Sequence, residues 1–338
     1  MLKGSVRMKK SKLIAIFSVL ALLFLSACGS SGENTTIKIG EVTRSLFYAP
    51  QYVAIEKGFF EEEGLDVELQ TTWGGDKTMT ALLSDGIDVA LVGSETSVYV
   101  YAQDSKDYAV NFAQLTQTDG TFLVAKEEKP DFKWEDLTDS NFLGQRKGGM
   151  PQMVGEFVLK KYGIDPHNDL TLHQNIEFAN IPGAFLSGDY EYVQLFEPTA
   201  SVFEKEGNGH VIASFGEESG HVPYTVFMAK QSYIDETPEN IEKFTRAIYK
   251  AQQWVQETDS SEIAETIQKY FEDVDLDILT SSIERYKSQG SFATDPILDE
   301  EEWNNLKDIM NEAGELPDGE ISYEELVNTE IAEDVINN

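Results

Sequence analysis

Twice along this chain, short runs rich in β-branched and aromatic residues alternate with segments of helical periodicity, as a parallel sheet with crossover helices requires. In the first round, residues 37–42, 66–70 and 88–92 predict strands. Helices are predicted over 51–57, closed by Gly58, over 77–83, and from Glu95. Residues 110–113 and 121–125 predict two further strands, the second leading into a new unit. That unit opens at Lys129-Pro130, with strands predicted at 142–145, 171–175 and 192–196 and a helix over 152–162 stopped by Gly163. In this helix Met153, Val154, Phe157 and Val158 share one face, and Pro151 stands at the first helical position, where no N–H is needed. Residues 224–229 predict a strand that returns the chain to the first unit. Beyond Pro238 the pattern is helical over 241–257, 261–271, 276–289 and 300–313. The expected fold class is therefore α/β with two lobes, each built on an α/β sheet, joined by a hinge of two chain crossings and finished by a helical C-terminal segment. The boundaries read as 36–122 for the first part of lobe 1, 123–223 for lobe 2, and 224–338 for the return.

Composition restricts what such a body can bind. Sixty Asp and Glu against 26 Lys and Arg give 338 residues a formal charge of -34, which repels phosphate backbones and excludes nucleic acid as a partner. Apolar residues at 41% and aromatics at 11% still supply a large core, so the chain is acidic and folded. Runs such as Glu61-Glu62-Glu63 and Glu300-Glu301-Glu302 read as solvated helix faces. No His-Glu-x-x-His pattern, Gly-x-Ser-x-Gly elbow or Walker loop occurs, and His167, His173, His210 and His221 lack ligand-like spacing. No cofactor, metal or catalytic residue is called for.

The first 28 residues point to export. Lys3, Arg7, Lys9, Lys10 and Lys12 precede an uncharged apolar run, residues 13–25, that is too short to span a bilayer and suits a signal h-region. Leu25-Ser26-Ala27-Cys28 resembles the lipobox of bacterial lipoproteins, which implies cleavage after residue 27 and lipidation of Cys28, the only cysteine in the chain. Residues 28–35 then form a small polar tether. The expected location is the extracytoplasmic face of a bacterial membrane, held by that lipid.

The segments Tyr48-Ala49-Pro50-Gln51-Tyr52-Val53-Ala54, Glu56-Lys57-Gly58-Phe59-Phe60, Gly64-Leu65-Asp66-Val67, residues 82–93 and Phe196-Glu197-Pro198 carry a family resemblance. The chain resembles solute-binding proteins of ATP-binding-cassette importers, in the group that covers nitrate, sulfonate, taurine and thiamine-pyrimidine precursors. The resemblance implies a periplasmic-binding-protein fold of type II kind and a monomer that delivers a small molecule to a permease with its ATPase. Some relatives make the thiamine pyrimidine through a cysteine-rich segment, which a chain with Cys28 alone does not have.

In open α/β sheets, ligands sit beyond the carboxyl ends of the strands. The loops at those ends contain Arg44, Phe47 and Tyr48; Trp73, Gly74 and Gly75; Ser94, Glu95 and Thr96; and Arg146, Gly148, Gly149 and Met150. Phe196, Glu197 and Tyr224 fall at strand ends of the other lobe. Glycine allows close backbone approach and the following helices offer N–H donors, while the aromatics offer faces for a flat ring. Arg44, Arg146 and Lys147 suit an anion such as a sulfonate or nitrate. Glu95 and Glu197 suit an amino or ring N–H group. A neutral or amino-bearing heterocycle, such as a pyrimidine or related vitamin precursor, satisfies both sets and is the favoured ligand.

Overall fold

The computed structural model describes residues 34–319 and 321–338. The expected signal segment 1–27, Cys28 and the tether up to residue 33 lie outside the described residues. The chain enters its first strand at Thr35, one residue before the expected start of lobe 1. Residues Thr35–Asn338 form one unit.

Its first five strands are β1 (Thr35–Glu41), β2 (Leu65–Thr71), β3 (Val89–Gly93), β4 (Ala109–Thr116) and β5 (Thr121–Ala125). The next five are β6 (Asn141–Leu143), β7 (Thr171–His173), β8 (Tyr192–Phe196), β9 (His210–Ser214) and β10 (Thr225–Lys230). They form two sheets, ordered β2-β1-β3-β10-β4 and β7-β6-β8-β5-β9. In each, three parallel strands joined through helices are extended by an antiparallel pair, β10 with β4 and β5 with β9. The parallel strands of both sheets therefore present their carboxyl ends and the loops that follow on the side where a ligand is expected.

Each sheet is buried by helices of matching apolar pattern. In the first lobe Phe244, on the helix Pro238–Glu257, meets Phe60, Phe112 and Phe227 at ring-centroid distances of 5.0, 5.6 and 4.9 Å. In the second, Phe215 packs edge-on to Trp134 at 5.1 Å and parallel to Phe142 at 6.4 Å. Edge-to-face pairs of this kind add to the burial of the rings themselves.

The strands predicted at 121–125 and 192–196 coincide with β5 and β8. The boundary expected at residue 122 falls inside β5, which pairs along its whole length with β8 in the second sheet. Pro151 is the second helical residue, because the helix Met150–Lys161 already starts at Met150. The sequence reading passed over β9 and the helices Ile181–Ser187, Thr199–Glu206 and Phe215–Ser219. These elements are five to eight residues long, too short for periodicity to separate them from loops.

The lobes are joined by two crossings that run side by side. Val222 and Tyr224 donate N–H bonds of 3.0 and 3.2 Å to the carbonyls of Gln117 and Thr116. The C-terminal helices touch both lobes: Leu276–Ser288 packs on the turn Leu46–Tyr48 and on Thr199–Glu206, and Glu300–Glu312 packs on Met150–Lys161. In the first crossing Gly120 lies against the Phe47 ring, so an added Cβ would stand 2.7 Å from it. Phe47 is buried and cannot swing away. Gly120→Ala is expected to destabilise the fold by about 1–3 kcal/mol through overpacking, read as a lower urea midpoint. Gly183→Ala, where nothing lies within 4 Å, is expected to leave the midpoint unchanged or raise it slightly.

Candidate functional site

A cavity of about 670 Å³ lies between the lobes. From the first lobe it is lined by Val42, Thr43, Ser45 and Tyr48 after β1, Trp73 to Lys77 after β2, and Gly93, Glu95 and Thr96 after β3. Gln145 to Pro151 after β6, Glu177 to Ala179 after β7, and Phe196 close it from the second, with Tyr224 and Thr225 at the crossing. Twelve of the sixteen residues expected at a site come together here: Tyr48, Trp73, Gly74, Gly75, Glu95, Thr96, Arg146, Gly148, Gly149, Met150, Phe196 and Tyr224.

The other four point elsewhere, each for a physical reason. Arg44 turns back to Glu41, with Nε 3.2 Å from its Oε1, and lies over the rings of Tyr52 and Tyr270. Glu41 is fully buried and also accepts from Tyr52, Gln51 and Thr71, so Arg44 is the countercharge of a buried acid. Phe47 is core, packed on Phe196, Tyr224 and Tyr286 at 5.9, 5.5 and 5.2 Å. Ser94 is buried outside the cavity wall, its carbonyl receiving the Ser97 N–H and hydroxyl. Glu197 accepts from the Ser201 N–H and hydroxyl at 3.0 and 2.9 Å, from the Ser282 hydroxyl at 3.2 Å and from Arg285 at 2.6 Å. Its carboxylate is saturated, and the expected role as a ligand acceptor passes from Glu197 to Glu95 alone.

Glu95 opens the helix Glu95–Tyr101 and is 4% exposed. One oxygen, Oε1, accepts the Met150 N–H from the opposite lobe at 3.3 Å; Oε2 has no hydrogen-bond partner. The carboxyl rests on Gly93, where an added Cβ would stand 2.1 Å from Oε2, so only glycine leaves it room. Burial pushes its pKa up to about 7, against the weaker opposing effect of its backbone hydrogen bonds. Of the cations that line the cavity, Lys77 is exposed, and Arg146 and Lys147 are paired. Arg146 lies 3.1 Å from Glu177 and, across the mouth, 3.7 Å from Asp76; Lys147 lies 3.6 Å from Glu315.

Aromatic side chains make up much of the remaining wall: Tyr48, Trp73, Tyr99, Phe178, Phe196 and Tyr224. Trp73 is 57% exposed and holds a positive φ of 62°, a backbone state uncommon for a bulky residue and often found at functional sites. Tyr99 and Phe178 escaped the sequence reading. Phe178 follows β7, whose loop obeys the same strand-end rule as the others; Tyr99 sits one helical turn after Glu95, a spacing that would have found it. Among the described residues no group of three or more His, Cys, Asp or Glu is placed to hold a metal ion, and no helix is long and apolar enough to cross a membrane.

Residues 30–268 match the NMT1-like family. The chain belongs to that family. It is 61% identical over 318 residues, 94% of this chain and 95% of the relative, to a putative binding protein, YtlA, of Bacillus subtilis. The formylaminopyrimidine-binding protein of Halalkalibacterium halodurans is 25% identical over 74% of this chain and 76% of its own length. Among solved structures, the periplasmic nitrate-binding protein NrtA from Synechocystis superposes with a TM-score of 0.70 at 18% identity, covering 90% of this chain and 89% of that one. That likeness establishes the two-lobed α/β fold; the relatives and the structure named here are described as binding proteins.

Because the Glu95 pKa is raised on folding, its stabilising effect is complete below about 4.5 and is lost as pH rises through 7. Glu95→Gln is therefore expected to match the parent near pH 4.5 and to be more stable at pH 8, by up to about 3 kcal/mol. Urea unfolding at the two pH values measures the difference.

Proposed function

We propose that this family member is the solute-binding component of an ABC-type importer and that it captures a heterocycle bearing an amino or ring N–H donor, a pyrimidine or related vitamin precursor, between its lobes. The observation that carries the ligand class is the contrast between a buried, half-satisfied carboxyl in the wall and cations that are exposed or paired. A donor on the ligand completes the bonding of Glu95 Oε2, and a flat ring gains the aromatic walls around it. An anion faces the opposite balance. To receive a sulfonate, taurine or nitrate, the alternative within the same importer class, Arg146 has to leave both Glu177 and Asp76. The formylaminopyrimidine named for one relative at 25% identity supports the first reading. Delivery to a permease and its ATPase, as a monomer anchored through lipid on Cys28 at the extracytoplasmic face, completes the proposal.

Thermal unfolding of residues 34–338 against formylaminopyrimidine, other aminopyrimidines, alkanesulfonates, taurine and nitrate tests the ligand class. A ligand at 100 times its dissociation constant contributes about 2.7 kcal/mol, a rise of about 5 °C or more in a chain of this size. A rise with aminopyrimidines is expected; a rise confined to sulfonates or nitrate rejects the heterocycle. Trp73→Ala is expected to weaken the active ligand about tenfold or more while leaving the unliganded midpoint in place, since the indole buries little on folding. Titration calorimetry reads the affinity.

A further inference from the structure

We propose that Glu95 gates closure: its carboxylate, sealed into the cleft wall with one oxygen unpartnered, holds the empty cleft open, and a hydrogen-bond-donating ligand or a proton releases it. The inference rests on capture between the lobes and adds what prevents capture without cargo.

The geometry supplies both halves of such a gate. The bond from the Met150 N–H to Oε1 spans the cleft, so it exists only when the lobes meet. The same approach removes water from Oε2 and offers it no protein donor in return. The titratable side chains facing the carboxyl are phenols. Tyr48 reaches it from the turn after β1, Tyr99 from its own helix and Tyr224 from the crossing, each held neutral by burial first and then by nearby carboxylates that include Glu95. Of the cations lining the cavity, Arg146 is engaged with Asp76 and Glu177 and Lys147 with Glu315, and Lys77 is exposed on the helix Gly75–Leu83. An ionised Glu95 in the closed, empty cleft is thus a desolvated charge without a counterion, which is costly.

The sign of the pH effect follows from linkage. In the closed form the pKa is about 7; in an open, watered cleft it relaxes toward the ordinary 4.5. The closed form therefore holds the proton more tightly, and acid favours empty closure while pH above 7 opposes it. Between pH 5.5 and 8.5 the closed-to-open ratio of the empty protein is expected to fall roughly 30-fold. A ligand that donates to Oε2 substitutes for the proton, so closure at neutral pH is tied to the presence of cargo.

Residues 34–338 contain no cysteine and carry the whole described core, so a spin-label pair can be introduced at Thr80→Cys and Ala179→Cys, two exposed positions lining the cavity from opposite lobes. Distance distributions of the ligand-free protein are measured at pH 5.5 and 8.5. The expected result is a shift of population toward the longer distance at pH 8.5, absent when Glu95→Gln or Glu95→Met is added to the labelled pair. Asp119 in the first crossing, raised to about 6, and Glu302 beside the second, raised to about 7, titrate in the same window, and the Glu95 variants separate their effect from the gate. Equal distributions at both pH values in the parent, or the same shift in both Glu95 variants, overturn the proposal. No ligand enters this measurement, so its outcome stands apart from that of the ligand panel.

Discussion

The Phe47 ring, 1% exposed, is the point on which four distant parts of the chain converge. Around it pack Tyr48 from its own turn, Phe196 from the end of β8, Tyr224 from the second crossing and Tyr286 from a C-terminal helix. Tyr286 extends the junction with hydrogen bonds, accepting the Glu197 N–H at 3.1 Å and donating to the Gly120 carbonyl at 2.9 Å. Both lobes, both crossings and the helical segment after them thus share one close-packed cluster, in which a change of one methylene is felt by its neighbours. Three of its rings, Tyr48, Phe196 and Tyr224, also line the cavity. The shape of the cavity and the seat of the hinge are consequently set by the same contacts.

Charge is divided between structure and site along the same line. Glu41 with Arg44, and Glu197 with Arg285, are buried acids supplied with cations and several further donors. Their cost of desolvation is met within the fold. Glu95 is supplied with backbone N–H groups alone and no cation. A protein with so large an excess of acid still arranges a cation for those two buried carboxylates and leaves the one in the cleft without. That difference is what gives the cavity its polarity.

Much of the architecture was legible because it rests on periodicity and on strand ends. Long helices such as Pro238–Glu257 and buried strands such as β8 announce themselves by pattern, and the rule that ligands lie beyond parallel strands located most of the cavity. What sequence could not convey was side-chain direction. Arg44 and Glu197 sit in loops of the expected kind, yet their partners, Glu41 and Arg285, come respectively from three residues before and from a helix 88 residues later. Phe47 and Tyr48 are neighbours in sequence, one core and one wall. The separation is decided by tertiary contacts, principally with Tyr286, whose helix carries no mark in its own sequence of reaching the other lobe.

The pairing of β4 with β10 has a further consequence. Thr116 and Thr225 are register partners at the very end of that ladder, so the first sheet is complete as though the chain turned there in a hairpin. Everything between, residues 117–224, reads as an excursion inserted at a turn that already had both ends in place. The strand pairing of the first sheet is thereby closed without any strand of the inserted segment. Variation in the inserted segment can retune the far wall of the cavity without re-registering a strand of the near one.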